Sequence, residues 1–271
     1  MPVDHYENFP VASVLLPKRL RYPIEIIYAF ARSADDIADE GNAPPEERQA
    51  DLEQYLHELK KIEQGITPDG ELFRQLDNVI RQYELPIKPF RDLISAFTQD
   101  TYTQRYPSYD ALLDYCSRSA DPVGFLLLCL YKATSAENIR MSNAICTSLQ
   151  LINFWQDVAI DWEKNRIYIP QEDMLHFNVT EDMIASAAVN DAWHSLMQFE
   201  IKRTRELMLS GAALPRVIPG RVGHELRLVV LGGLRILDMI EAVGYDVFNR
   251  RPVLKKRDWL GLGLRSFFYR Y

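Results

Sequence analysis

The sequence has few cysteines and no cysteine pattern that suggests a metal site. Its 271 residues include three cysteines, and no CxxC motif occurs. An odd number of scattered cysteines is typical of a reduced, cytoplasmic protein in which thiols are small core residues. The first residues, "MPVDHYENFP", contain no basic segment followed by an apolar one, so we expect no signal peptide.

Long hydrophobic runs are also missing. The longest, "VGFLLLCLY", is too short to span a bilayer, so we expect the chain not to cross a membrane. The net charge of −7 disfavours binding to nucleic acid. With 47% hydrophobic and 25% charged residues, the composition is that of a globular protein with a sizeable core.

Strand-like alternation is scarce, and the pattern is helical almost throughout. Because no linker is evident, we predict one all-α domain over residues 1–271. Pro45, followed by two glutamates, and Ser108 suit helix N-termini. A long connection with short helical pieces follows Ile169. The predicted helices are 18–37, 46–64, 71–83, 87–100, 108–118, 121–134, 137–163, 188–211 and 217–243.

One predicted helix, 137–163, carries an unusual polar stripe. Most of its positions are apolar, yet four polar residues fall within a narrow arc at about 100° per residue. These residues are Gln150, Asn153, Asp157 and Asp161. The stripe contains only carboxylates and amides, whereas a solvated helix face is usually rich in Lys and Glu. A ligand-binding stripe is therefore favoured over a solvated face.

A second stripe lies in "YAFARSADDIADE", residues 28–40. Tyr28, Arg32, Asp35 and Asp39 share one narrow face, and Asp36 lies about 80° to the side. Acidic residues at the C-terminal end of a helix are unfavourable because the helix dipole is already negative there. We therefore expect positive charge beside them, unless this acidic end is simply solvated.

Two such helices facing each other would place five carboxylates around one cavity. Oxygen ligands suit Mg²⁺, with Mn²⁺ as the alternative. Arg32 and Arg166 accompany the two stripes, and guanidinium groups bind polyanions such as diphosphate. The hypothesis is that carboxylates hold metal and metal binds a polyanion. These ligands, rather than a protein partner, would then compensate the buried negative charge.

Other cofactor chemistries lack their sequence signatures. A di-iron bundle needs Glu-x-x-His pairs, and a zinc enzyme needs HExxH or a comparable ligand spacing; neither pattern occurs. Glycine motifs that bind phosphate or dinucleotides are missing as well, which agrees with a chain that uses no nicotinamide cofactor but does not by itself establish it. Phosphate would therefore have to be bound through metal.

The motifs resemble those of the squalene/phytoene synthase family. "YAFARSADDIAD" and "QLINFWQDVAIDWEKNRIYIP" look like its two aspartate-rich motifs. The opening "HYENFPVASVLLP", the segment "YCSRSADPVG" and the C-terminal "GYDVFNRRPVL" are similar to three further family segments, in the same order. The resemblance covers most of the chain. It implies an all-α isoprenoid synthase-type helical bundle around a central cavity.

The resemblance also implies a chemistry. In this family Mg²⁺ assists the departure of diphosphate from a prenyl diphosphate, and an apolar, aromatic-lined tunnel keeps the carbocation from water. The implied metal ligands are Asp35, Asp36, Asp39, Asp157 and Asp161. The implied substrate-binding residues are Tyr28, Arg32, Gln150, Asn153, Arg166, Tyr168, His5 and Arg250. Tyr115 matches a family tyrosine that stabilises charge or moves a proton. Without the resemblance, Tyr115 suits a packed core, His5 an exposed terminus and Arg250 a solvated basic run.

Two departures from the family pattern narrow the prediction. Gln156 stands where common members carry arginine, and Asp121-Pro122 replaces Gly-Leu. With these substitutions the sequence resembles the hydroxysqualene synthase branch of bacterial hopanoid biosynthesis. That branch converts presqualene diphosphate and water to hydroxysqualene and diphosphate without a hydride donor. Gln156 or Asp121 is the candidate for positioning the water, and the presqualene diphosphate synthase of the same pathway would be a functional partner.

Alternatives stay open at this point. A sibling enzyme would condense two farnesyl diphosphates to presqualene diphosphate, squalene or dehydrosqualene, and an inactive helical scaffold would bind neither metal nor diphosphate. The tail "LKKRDWLGLGLRSFFYRY", residues 254–271, mixes cations with apolar and aromatic residues. It would either bind anionic lipid at the inner face of the membrane or form a last helix packed on the bundle.

Overall fold

The computed structural model describes residues 17–271, so His5 lies outside the described residues. This range forms fourteen α-helices and no strand beyond an isolated bridge between Arg105 and Ile167. The predicted all-α class is confirmed. The helices are α1 Lys18–Asp39, α2 Pro45–Glu63, α3 Glu71–Tyr83, α4 Lys88–Asp100, α5 Tyr109–Ser119, α6 Asp121–Leu130, α7 Ala136–Gln156, α8 Val158–Glu163, α9 Gln171–His176, α10 Glu181–Ala185, α11 Asp191–Gly211, α12 Leu214–Val217, α13 Gly220–Ala242 and α14 Lys256–Phe267.

Local sequence signals explain several helix ends. Helix α2 begins at Pro45, one residue before the predicted start, with two glutamates in its first turn. Ser108 caps α5, since its hydroxyl accepts a hydrogen bond from the Ala111 amide at 3.2 Å. The predicted 121–134 helix is too long, because it ends at Leu130 and Lys132 adopts a left-handed φ of 57°.

The predicted helix 137–163 is wrong in one important respect. It is interrupted at Asp157, which has φ −104° and ψ 13°, so α7 ends and the short α8 begins there. The Asp161 amide still donates to the Asp157 carbonyl at 2.8 Å. The two aspartates of the stripe therefore remain one turn apart, although the helix is distorted between them.

The interior consists of two hydrophobic clusters. Residues of α1 to α4, including Phe30, form one cluster, and the larger one is formed mainly by residues of α5, α7, α11 and α13; α4 and α6 contribute to both. Trp155 and Trp193 are buried in the larger cluster, and their indole N–H groups donate to Thr204 and to the Tyr245 carbonyl, at 2.8 and 2.9 Å. These bonds offset the cost of burying the indole nitrogens.

The two polar stripes lie on helices that belong to different hydrophobic clusters. The aspartates of α1 belong to the first group of helices, and those at the α7–α8 junction belong to the second. The site therefore lies where the two groups meet. All three cysteines are free thiols. Between residues 17 and 271, no helix has the length and apolar character needed to cross a membrane.

Candidate active site

The acidic end of α1 is partly neutralised from within the same helix. The guanidinium of Arg32 contacts the carboxylates of Asp35, Asp36 and Glu40 at 3.2, 2.6 and 2.9 Å. Tyr28, one turn earlier, lies close enough to influence the pKa of Arg32. Part of the positive charge expected beside this acidic stripe therefore comes from a residue of the stripe itself.

Asp39 connects the two motifs. Arg166 donates from Nη1 to Asp39 Oδ1, and Lys164 Nζ contacts Asp39 Oδ2 at 3.0 Å. Burial alone would raise the pKa of Asp39, but Arg166 and Lys164 hold it below its ordinary value. Arg166 also donates from Nη2 to the carbonyl of Asp100 at 3.0 Å. The two sequence motifs are thus brought together, as predicted.

Asp157 is paired with a residue that the sequence interpretation passed over. The guanidinium of Arg251 contacts both carboxylate oxygens of Asp157, with Nη2 at 3.2 Å from Oδ2. Arg250, the predicted residue, instead lies 3.7 Å from Asp246, and its side chain is 68% exposed. Two consecutive arginines carry no sequence signal for which one faces the site.

Gln156 fixes the segment that carries Arg251. Its buried side-chain Nε2 donates to the carbonyl of Pro252 at 2.6 Å. Asp121, the other candidate for positioning water, is also buried and accepts a hydrogen bond from the Thr147 hydroxyl at 2.8 Å. Burial raises the pKa of Asp121 to about 6. Both departures from the family pattern thus make structural contacts of their own.

The negative charge of some carboxylates in the site is not fully neutralised by neighbouring cations. Burial and the nearby Asp157 raise the pKa of Asp161 to about 8, with Arg166 opposing. Asp161 forms no ion pair with any residue in the described range. Burial and Asp39 raise the pKa of Asp35 to about 6, although Arg32 is close. The site therefore carries more negative charge than its cations neutralise.

A sixth carboxylate, Asp100, was not predicted from the sequence. Tyr115 donates from its hydroxyl to Asp100 Oδ2 at 2.7 Å, while Oδ1 is buried without a hydrogen-bond partner in residues 17–271. Burial raises the pKa of Asp100 to about 7, although the Tyr115 hydrogen bond lowers it. The only sequence signal was a carboxylate at the end of a predicted amphipathic helix, α4.

Four aromatic rings lie against these polar groups. Phe154 stacks on Tyr168 with ring centroids 3.7 Å apart, and Tyr106 stacks on the same tyrosine at 5.6 Å. Tyr115 lies 5.5 Å from Tyr106 and 6.2 Å from Phe154. Tyr106 and Phe154 were not predicted as site residues. Tyr168 was predicted to bind diphosphate, and the structure places it within this stack.

The two amides of the second stripe are available for a ligand. Gln150 and Asn153 are half-buried on α7, on the same helical arc as Asp157. Neither side-chain amide bonds to another residue of the described range. They differ in this respect from Gln156, whose amide is held by the backbone.

One expectation needs correction. Arginine and lysine side chains of the protein itself compensate several carboxylates, whereas the sequence interpretation assigned this role to metal and diphosphate. These cations are Arg32, Lys164, Arg166 and Arg251. Within residues 17–271, no three His, Cys, Asp or Glu side chains are close enough together to hold one ion.

The donor set nevertheless fits a hard divalent cation. Among residues 17–271 the site offers oxygen ligands, from six aspartates that lie with four cationic side chains. Asp161 forms no ion pair among the described residues, and Asp100 has a buried oxygen without a hydrogen-bond partner there. Excess negative charge of this kind favours binding of Mg²⁺ or Mn²⁺.

The comparison with known families agrees with this geometry. The sequence profile described as squalene/phytoene synthase matches residues 3–258. This chain belongs to the squalene/phytoene synthase family. The predicted family membership is therefore confirmed.

Individual relatives within the family carry different names. The chain is 41% identical to hydroxysqualene synthase of Zymomonas mobilis, over 94% of this chain and 85% of the relative. It is 28% identical to 15-cis-phytoene synthase of Synechococcus elongatus, over 90% and 83%. The crystal structure of squalene synthase HpnC from Alicyclobacillus acidocaldarius matches with TM-score 0.83 and 36% identity, over 90% of this chain and 91% of that one. The isoprenoid synthase-type fold is confirmed.

The pKa of Asp161 is raised and that of Asp39 is lowered, so replacing each by asparagine should change the free energy of unfolding in opposite directions. The pKa of Asp161 is raised in the folded protein, so the free energy of unfolding falls as pH rises towards about 8. Asp161→Asn removes this cost and should stabilise the metal-free protein at pH 8 by roughly 1–2 kcal/mol. Asp39→Asn removes a stabilising partner of Arg166 and should destabilise it.

Urea unfolding in EDTA at pH 6 and pH 8 measures both effects. The exposed pair Lys88–Asp92 provides a control, since Asp92→Asn should change the free energy of unfolding by less than about 1 kcal/mol. If Asp161→Asn destabilised the protein as much as Asp39→Asn, the excess of negative charge inferred for this site would be refuted.

Proposed function

We propose that this protein converts presqualene diphosphate and water into hydroxysqualene, with release of diphosphate. The observation that carries this proposal is the meeting of a charged cluster with a group of four aromatic rings, three of which are stacked. The charged half suits a diphosphate leaving group, and the aromatic half suits the carbocation that remains, because aromatic faces attract positive charge.

The carboxylates that would hold Mg²⁺ are Asp35, Asp36, Asp39, Asp157 and Asp161. Bound metal would supply Lewis-acid assistance to the departing diphosphate, with Mn²⁺ as an alternative. The fit rests on the oxygen-only donor set and on the carboxylates whose pKa is raised by burial and by each other.

The cations of the chain would receive the leaving group. Arg32, Lys164, Arg166 and Arg251 now contact carboxylates, and a diphosphate beside them would offer the same kind of oxygen acceptor. Gln150 and Asn153, whose amides bond to no other residue of 17–271, would add neutral hydrogen bonds. In this arrangement Gln156 acts on Arg251 by holding the Pro252 carbonyl.

The final step adds water to the carbocation and must remove one proton. Asp100 Oδ1 is buried and has no hydrogen-bond partner among the described residues, and Asp100 Oδ2 accepts from Tyr115. We assign the proton to Asp100, delivered directly or through the Tyr115 hydroxyl. The amide nitrogen of Gln156 is bonded to backbone and Asp121 is bonded to Thr147, so each is a weaker candidate than Asp100.

A second candidate function is condensation of two farnesyl diphosphates. The similarity to a phytoene synthase supports it, because enzymes of that name share the family. An inactive scaffold is disfavoured by the number of carboxylates and cations that meet in one site. In the proposed reaction, the enzyme that supplies presqualene diphosphate would be a functional partner.

A product assay separates the candidates. Purified protein receives Mg²⁺ but no nicotinamide, with presqualene diphosphate in one reaction and farnesyl diphosphate in another, in H₂¹⁸O. We expect labelled hydroxysqualene from presqualene diphosphate, identified by mass, and no product with Asp157→Asn. Turnover of farnesyl diphosphate alone would refute the proposal.

Because Arg251 contacts the site and Arg250 is exposed, their substitutions should lower kcat/KM by unequal factors. Arg251→Met should lower kcat/KM by about 10- to 100-fold, because it removes a charge-assisted contact in the site. Arg250→Met, on an exposed side chain, should change kcat/KM by less than about threefold. Arg251→Lys should recover only part of the loss, since lysine lacks the planar fork. Equal effects of the two methionine substitutions would contradict this assignment.

A further inference from the structure

The outer face of α14 is apolar and exposed. Leu260, Leu264 and Phe267 are 72, 64 and 72% exposed, and Phe268, just beyond the helix, is 77% exposed. At about 100° per residue the three helical residues lie within a narrow arc. A contiguous apolar surface on one helix face, unlike scattered single residues, marks an interaction site.

The opposite face anchors the helix to the bundle. Leu262 and Ser266 are buried, and Asp258 is paired with Arg235 of α13 at 3.2 Å. After the helix, the Tyr269 hydroxyl donates to the Ala212 carbonyl at 2.7 Å. Because these contacts fix the orientation of α14, its apolar outer face is held towards solvent. The tail therefore forms a last helix packed on the bundle through its inner face. Its outer face stays exposed, so the alternative that the tail binds anionic lipid remains compatible with this packing.

Cations surround this face. Lys256 and Arg257, in the first turn of α14, fall on the same helical arc as the three apolar residues, and Arg265 and Arg270 lie nearer its other end. All four are exposed, and none forms an ion pair with a described carboxylate. This local positive charge contrasts with the net charge of −7 for the whole chain.

A cavity opens beside the same face. It has a volume of ≈ 400 Å³ and is lined by Leu231, Leu264, Phe268 and Tyr271, with Arg265 and Arg270 among its polar residues. An apolar recess edged by guanidinium groups matches the amphipathic character of a lipid, which joins an apolar chain to an anionic headgroup.

We propose that the outer face of α14 is a docking surface for an anionic lipid bilayer. The apolar residues enter the boundary between headgroups and acyl chains, and Lys256, Arg257, Arg265 and Arg270 contact anionic headgroups. The proposal is independent of the reaction catalysed. A bilayer is favoured over a second copy of this chain because the cations are unpaired here, and an identical face would bring like charges together.

Vesicle flotation of the full-length protein tests the proposal. We expect binding to phosphatidylcholine vesicles that contain 30% phosphatidylglycerol, weakening as salt increases, and little binding to pure phosphatidylcholine. The triple variant Leu260→Ser, Leu264→Ser, Phe267→Ser should bind about tenfold or more weakly. Lys256→Glu with Arg257→Glu should abolish the preference for the anionic vesicles.

Matched controls lie elsewhere on the surface. Leu175, which is 80% exposed on α9, and the exposed Lys202 on α11 allow Leu175→Ser and Lys202→Glu to be compared, and both should bind like the unmodified protein. Circular dichroism and thermal unfolding confirm that each variant is folded. Equal binding to neutral and anionic vesicles would overturn the proposal. So would a stable dimer that the triple variant converts to monomer while vesicles are not bound.

Discussion

The ion pair between Asp39 and Arg166 joins two segments 127 residues apart, and the arrangement of the site depends on it. Asp39 belongs to the first group of helices and Arg166 follows the α7–α8 junction in the second. Arg166 also bonds to the Asp100 backbone and thereby connects a third helix, α4, to the same point. A partly buried pair of this kind costs desolvation on both sides. It is compatible with the fold because each member has further polar partners.

The gathering of carboxylates around this ion pair affects both the stability of the fold and the ligands that the site would bind. In the part of the chain that the structure describes, six aspartates gather beside four cationic side chains, and the raised pKa values of Asp35, Asp100 and Asp161 reflect burial and the remaining repulsion. We propose that this unfavourable charge favours binding of a cation, and that the guanidinium groups it displaced would then bind an anion. The aromatic stack beside it provides the apolar half that a prenyl group would need.

Periodicity and residue type predicted the fold class and much of the charged site from the sequence. The all-α class, the helices α1 to α5 and both aspartate stripes follow from patterns within about 20 neighbouring residues. Arg251, Asp100, Tyr106 and Lys164 were missed because their roles arise from contacts between distant segments, which spacing along one helix cannot reveal. The interruption at Asp157 was missed for a similar reason, since no glycine or proline marks it in the sequence and the contact from Arg251 comes from 94 positions away. Compensation of carboxylates by the protein's own cations likewise required the tertiary structure.

The central claim is that the charged cluster exchanges its internal ion pairs for metal and diphosphate. Isothermal titration of pyrophosphate into the metal-free protein, with and without saturating Mg²⁺, tests it most directly. The account predicts binding at least about tenfold tighter with Mg²⁺, a difference of roughly 1.4 kcal/mol. Pyrophosphate binding of equal affinity in EDTA would contradict it, because the carboxylates would then have no part in holding the diphosphate.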